Sequence, residues 1–304
     1  MRKIEKLSAL LESSSKRLSS STALRLYYVD EAARLLVLES QTKDDFLQAY
    51  AKVRQGVLFS REQSASEIKG TSHALYLAEQ TCLIAYLCKA VCEYSAKNGR
   101  ILDVASFFEE QNAAPEQKSV AYVPSVISDQ AYRIFADAIS GTSAVYTSSF
   151  AQACEDVNDG RVGYCILPYE TGDEGTLSGF IKMMRKYELY PKYVCSVSSN
   201  RAVTKLALLG RSPCESPDAK TLGRYLRITL DSTDFYTFSR LSSACAATGL
   251  RLIKSESIPV SWDDDKYGSS LTFDITDVDA APFLLYLMLE APECSDKAIY
   301  YDLT

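Results

Sequence analysis

Histidine is nearly missing from this sequence of 304 residues, where His73 is the single one. That excludes a zinc or di-iron centre built on two or more histidines, and leaves any Ser-His-Asp triad dependent on one residue. No apolar run reaches the roughly 20 residues that span a bilayer, so no membrane is expected as a partner. Residues 1–21 carry basic side chains without the continuous apolar stretch of a secretory signal. Long runs of lysine and arginine are also lacking. The net charge is −6, and residues 219–304 hold 13 acidic against 8 basic side chains. A nucleic-acid binder needs a positive face, so no nucleic acid is expected either. Cysteine is plentiful but odd in number, at nine. A secreted disulfide framework pairs its cysteines, which points to a reducing cytoplasm.

What is present falls into three stretches, and none repeats with a period of 20–50 residues. Residues 1–118 read as helices. Leu77, Leu83, Ile84, Leu87, Cys88, Val91 and Cys92 recur at the spacing of one helical face. Leu24, Tyr27, Tyr28, Leu35, Leu36 and Leu38 form a less regular stripe. Asp44 and Asp45 stand where a helix would start, and Asn98-Gly99 supplies a stop. Ser13–Ser21 is a loop or a frayed helix, and a short helix near 104–110 leads into a linker at 111–115. Cys88 and Cys92, one turn apart on an apolar stripe, read as core rather than a metal pair. His73 reads as structural, and no metal or cofactor is expected.

Residues 119–212 alternate strand and helix. Strands are expected at 120–123, 144–147, 162–167, 193–198 and 205–209, with helices over 128–139, 150–158 and 177–187. Ser149 caps the second helix and Asp159-Gly160 ends it. The run 162–167 is apolar throughout, as in a strand buried on both faces. Alternation at this spacing predicts a mainly parallel sheet with helices on its faces. A Pro- and Ser-containing linker at 212–217 follows. Residues 219–304 then read strand, helix, strand, strand, helix, strand: the ferredoxin-like βαββαβ order.

Two segments carry a resemblance. Gly163-Tyr164-Cys165-Ile166-Leu167-Pro168-Tyr169-Glu170-Thr171-Gly172-Asp173-Glu174-Gly175 resembles the prephenate dehydratase motif, a strand reading Gly-Val-Val-Pro-Ile-Glu-Asn-Ser followed two residues later by Gly. Ala121-Tyr122-Val123 and Ser128-Asp129-Gln130-Ala131 resemble that family's opening strand and helix, and Thr204-Lys205-Leu206 stands where it carries Thr-Arg-Phe. Glu256-Ser257-Ile258-Pro259 resembles the Glu-Ser-Arg-Pro segment of the family's C-terminal ACT domain. The resemblance covers roughly residues 119–304. The whole layout is similar to a bifunctional chorismate mutase–prephenate dehydratase.

The resemblance implies a multi-domain α and α/β protein. It would have a helical domain at 1–118 in the position of the mutase, one periplasmic-binding-protein-like α/β lobe at 119–212, and an ACT-like domain at 219–304. It implies a homodimer formed through the ACT-like domain, and a small-molecule ligand, prephenate or an aromatic amino acid. The catalytic residues carried over are Thr204, Lys205 and Glu170. Thr171, Gly172, Glu256, Ser257 and Tyr236 are the ligand-binding ones.

The sequence also departs from the family. The second dehydratase lobe is inserted between the strands at 193–198 and 205–209, and here only Ser199-Asn200-Arg201-Ala202-Val203 lies between them. That is a hairpin-sized connection, so one wall of the substrate cleft is missing. Lys205 keeps a positive charge but not the planar fork of arginine. Thr171-Gly172 replaces Asn-Ser. Tyr236 stands where a glycine lets backbone approach the amino acid, and Ile258 replaces an arginine. Glu170 has a second reading, as a carboxylate accepting amides of the 171–175 turn, and Thr204 one as an ordinary strand-entry residue. Arg25, Arg34, Lys52, Arg54, Arg61 and Glu62 are the charges available for mutase chemistry, but read better as solvated surface. The function expected is a degenerate, non-catalytic ligand-binding or regulatory protein of phenylalanine biosynthesis. The alternative is an active prephenate dehydratase, a carbon–oxygen lyase releasing phenylpyruvate, carbon dioxide and water, with chorismate mutase activity in the helical domain.

Overall fold

The computed structural model describes residue 6 and residues 22–99, 107–108, 118–172, 175–199, 202–213, 221–231, 235–259, 267–294 and 296–304, leaving out 66–70. At 22–25, 56–65, 71–76 and 235–236 it describes the backbone alone. The Ser-rich stretch, the 111–115 linker, most of the helix expected at 104–110 and the side chains of Arg25, Arg61, Glu62, His73 and Tyr236 lie outside the described residues. The described chain is mixed α/β, with eight helices and ten strands. It divides into two compact units, one of residues 1–107, 234–250 and 279–292, the other of 108–233, 251–278 and 293–304.

The first unit is helical. Its members are α1 (Thr22–Glu39), α2 (Lys43–Ala65), α3 (Thr71–Lys97), α7 (Phe235–Thr248) and α8 (Ala281–Glu290). Thr42 and Asp45 start α2 with a reciprocal cap, each side chain accepting from the other's backbone amide at 3.1 and 3.2 Å. Ile84, Leu87, Cys88, Val91 and Cys92 of α3 are all buried, as their spacing requires. α3 packs against α1, α7 and α8.

The second unit is one continuous sheet of β1 (Ser119–Tyr122), β2 (Ser143–Tyr146), β3 (Tyr164–Thr171), β4 (Gly175–Thr176), β5 (Tyr190–Ser199), β6 (Ala202–Gly210), β7 (Gly223–Leu230), β8 (Arg251–Pro259), β9 (Tyr267–Asp274) and β10 (Asp296–Asp302). The order is β2-β1-β3-β6-β5-β10-β7-β9-β8, with β4 on β3. The expected mainly parallel sheet is corrected to a mixed one. β2, β1 and β3 are parallel, but β6 runs antiparallel to both β3 and β5. The reason is the short connection: Ser199 pairs with Ala202, and a two-residue link permits only an antiparallel return. β10 pairs in parallel with β5 through Tyr301–Tyr193 and Asp302–Val194. That seam joins the strands of the C-terminal βαββαβ stretch to those of 119–210.

α4 (Val126–Ala138), α5 (Phe150–Asn158) and α6 (Ser178–Lys186) cover this sheet. The side chains of Ser125 and Ser149 cap α4 and α5, accepting from Ser128 and Gln152 amides. Ala153, Cys154 and Val157 of α5 join Ile181 and Met184 of α6 in a core with Cys165, Leu167, Val194, Ala207, Leu209 and Ile258. α6 touches both β3 and β8, although five strands separate these two in the sheet. The sheet therefore wraps round α6 and brings its last strand back towards β3.

Candidate functional site

The end of β3 is where the sequence concentrates its candidates. Glu170 pairs with Lys205 and Thr171 with Thr204 across β3 and β6. Directly opposed residues of two strands share a face, and successive residues alternate. Glu170 and Lys205 therefore lie on one face of the sheet, and Thr171 and Thr204 on the other. The sequence places Thr204 beside Lys205, and the strand sends their side chains apart. Gly172 donates its backbone amide to Val203 O at 3.0 Å, which ties the β3 end to the start of β6.

Glu170 Oε2 takes a hydrogen bond from Lys254 Nζ of β8 at 2.7 Å. The same ammonium lies 2.9 Å from Glu256 Oε1 and donates to Thr176 Oγ1 at 3.0 Å. Thr176 in turn donates to Glu256. One lysine thus stands between two carboxylates and a hydroxyl, with all four side chains engaged in the same network. Burial works against the charge of Lys254, but its hydrogen bonds to Glu170 and Glu256 outweigh it and raise its pKa above the usual lysine value.

The resemblance assigns Glu170 a catalytic role in the lobe and Glu256 a ligand-binding role in the ACT-like stretch, and the folded sheet joins the two in this one network. Period-two alternation explains the β8 side: Lys254 and Glu256 point the same way as Ile258, which enters the core, whereas Ser257 between them is exposed. Ser257 therefore stands apart from the cluster. Lys254 was missed in the sequence, although it lies two residues before Glu256 on a strand with alternating polarity. What no local pattern carries is the approach of β8 to β3. Among the described residues, no group of three or more His, Cys, Asp and Glu side chains is placed to hold a metal ion. No described helix is long and apolar enough to cross a membrane.

Of the charges available to the helical unit, Arg34 pairs with Glu31 one turn away, and Arg54 reaches Glu290 of α8. Arg54 is corrected from free surface charge to a partner of a buried carboxylate, because α8 carries Glu290 to a position beneath α2. Tyr50 donates to the same carboxylate at 2.6 Å, and Arg240 of α7 donates to the Glu290 carbonyl at 2.6 Å.

The class of protein defined so far is a mixed α/β chain with one wrapped ten-stranded sheet and a polar lysine–carboxylate cluster on it. No protein-family model and no curated protein sequence matches the chain. Among solved structures it is similar to prephenate dehydratase from Streptococcus mutans, at 17% identity over 60% of this chain and 98% of that one, with a TM-score of 0.48. It is similar also to GqqA, described as a novel type of quorum-quenching acylase, at 15% identity over 60% of this chain and 95% of that one, with a TM-score of 0.44. A third is prephenate dehydratase from Arthrobacter aurescens in complex with L-Phe, at 11% identity over 60% of this chain and 89% of that one, with a TM-score of 0.42.

Proposed function

We propose that this chain is a prephenate-dehydratase-like protein of aromatic amino-acid metabolism that binds a small molecule and regulates rather than catalyses. In this reading residues 1–118 form the helical part, 119–212 a single dehydratase-like lobe and 219–304 an ACT-like part through which two copies pair in the cytoplasm. The link to phenylalanine biosynthesis rests on the residues that resemble the family, Gly163 to Gly175, Thr204-Lys205-Leu206 and Glu256 to Pro259.

The observation that favours binding over turnover is the separation of the candidate catalytic groups. Dehydrating prephenate needs a hydroxyl near the leaving group and a cation on a substrate carboxylate, converging on one reactant. Thr204 and Lys205 point to opposite faces of β6, and Glu170 is occupied by Lys254. A cation on the wrong side of a strand cannot stabilise charge that develops on the other.

The test is phenylpyruvate formation from prephenate by the purified chain, beside Thr204→Ala, with calorimetric titration of L-phenylalanine and of prephenate. The expected result is no turnover above the variant and saturable binding of one of the two. Turnover that Thr204→Ala abolishes would overturn the reading in favour of an active dehydratase.

A further inference from the structure

Between α6 and the β7, β8 and β10 strands lies a cavity of about 220 Å³ that shares no residue with the Lys254 cluster. Ile181, Met184, Leu189 and Ile258 line it, all of them buried. Arg185, Glu188, Arg227, Thr229 and Asp296 give it polar groups. A site of this composition, apolar walls with a few placed polar atoms, is what small-molecule recognition requires.

Two of those polar atoms have no use within the fold. Thr229 is 2% exposed, and its Oγ1 has no hydrogen-bond partner among the described residues. Arg185 spends Nη2 on Asp231 at 2.9 Å, while its Nη1 is buried and without a partner. A buried donor left unmatched is disfavoured, and the two residues that carry these donors both line this cavity. Arg227, 6% exposed, adds a second guanidinium, hydrogen-bonded to Tyr169 and facing the charge of Asp296. Glu188 sits on the same cavity at φ 51°, a left-handed backbone that an acidic residue adopts at some cost. Its amide donates to Arg185 O and that of Leu189 to Met184 O, ending α6 over the cavity.

We infer that this cavity is a binding site for a small carboxylate with a compact apolar body, its oxygens taken by Arg185 Nη1 and the Thr229 hydroxyl. Both free groups donate, and a carboxylate accepts from several donors without bringing one of its own. At about 220 Å³ the space is below the roughly 300–1,000 Å³ of drug-sized sites, which limits the ligand to one ring or a short chain. The two carboxylates Glu188 and Asp296 oppose a second anionic group, so a monoanion fits better than a dianion. This site stands whether or not the chain turns over prephenate.

The experiment is calorimetric titration of the whole chain with benzoate and with benzamide, its neutral near-isostere. Benzoate is expected to bind one to one with a dissociation constant on the order of 1 mM or below, and benzamide at least tenfold more weakly. Thr229→Val removes the hydroxyl at constant shape and is expected to weaken benzoate about tenfold without lowering the melting temperature, because the hydroxyl holds nothing in the fold. Arg185→Gln is expected to weaken it about 10–100-fold, and decides the matter alone if Thr229→Val fails to fold. Thr204→Ala is expected to bind benzoate as the parent does. The inference is overturned by no benzoate binding, by equal affinity for benzamide, by both cavity variants behaving as the parent, or by a loss confined to Thr204→Ala.

Discussion

Arg54 and Glu290 are 236 residues apart in the chain and meet as an ion pair, Nη2 donating to Oε2 at 3.0 Å while Nε bonds the other oxygen. The pair is asymmetric: the Glu290 side chain is 3% exposed and that of Arg54 44%. Removing the arginine strands a buried carboxylate, whereas removing the glutamate leaves a guanidinium that reaches water. Arg54→Ala is therefore expected to cost about 1–3 kcal/mol, with Tyr50 and Arg240 softening the loss, and Glu290→Gln less. Urea-unfolding midpoints of the two variants check the order.

Lys254 holds two carboxylates together, so its loss should be read by pH. Its pKa is raised in the folded chain, and its contribution is complete below the unfolded lysine value and fades as pH rises through the folded one. In Lys254→Met, Glu170 and Glu256 face each other without the cation. One carboxyl then gains a folded pKa above its unfolded value, and the variant loses stability as pH rises through it. The expected deficit is about 1–2 kcal/mol near pH 7, shrinking towards pH 4 as that carboxyl takes a proton. Denaturant titrations across this range measure it, and a deficit that does not change with pH would contradict the like-charge account.

Burial should silence most of the thiols. Cys88 and Cys165 are held well above the ordinary cysteine range by burial, and Cys92 and Cys195 are pushed up to about 12 by the same cause. Thiolate is the reactive form. Iodoacetamide at about pH 8 is expected to label the half-buried Cys82 well before these four in the native chain. Unfolding in guanidinium should erase the difference, as peptide mass mapping would show.

Gly210 ends β6 where a methyl group has no room. An added Cβ would stand 3.0 Å from Lys192 Cε and 3.3 Å from the Tyr164 ring. Lys192 is buried and its ammonium donates to Ser212 O, so it does not swing aside freely. Gly210→Ala is expected to destabilise by about 1–3 kcal/mol, seen as a lower thermal midpoint with an unchanged circular dichroism spectrum.

Local pattern carried the elements well. The helix expected at 177–187 is α6 at Ser178–Lys186, and the βαββαβ order of the C-terminal stretch is β7-α7-β8-β9-α8-β10. These rest on periodicity, caps and glycine stops, which act over a few residues. β4, only two residues long, left no such signal. The parallel pairing of β10 with β5 escaped too, because a strand's sequence records which faces it buries and not which strand lies beside it.

The same division applies to the candidate residues. The sequence alone determined that Lys205 lies on a strand and that Glu256 shares a strand face with Lys254; the structure extends β3 through Glu170 and Thr171 and starts β6 ahead of Thr204. Alternation with period two is a property of the extended backbone. Tertiary structure decided the rest: that β6 returns beside β3, splitting Thr204 from Lys205 between two faces, and that the sheet curls round α6 so that Lys254 meets Glu170. It also decided that Arg185 and Thr229, 44 positions apart by their numbers, line one cavity. Contacts between such distant residues follow from how the sheet twists and packs, which depends on all its strands at once.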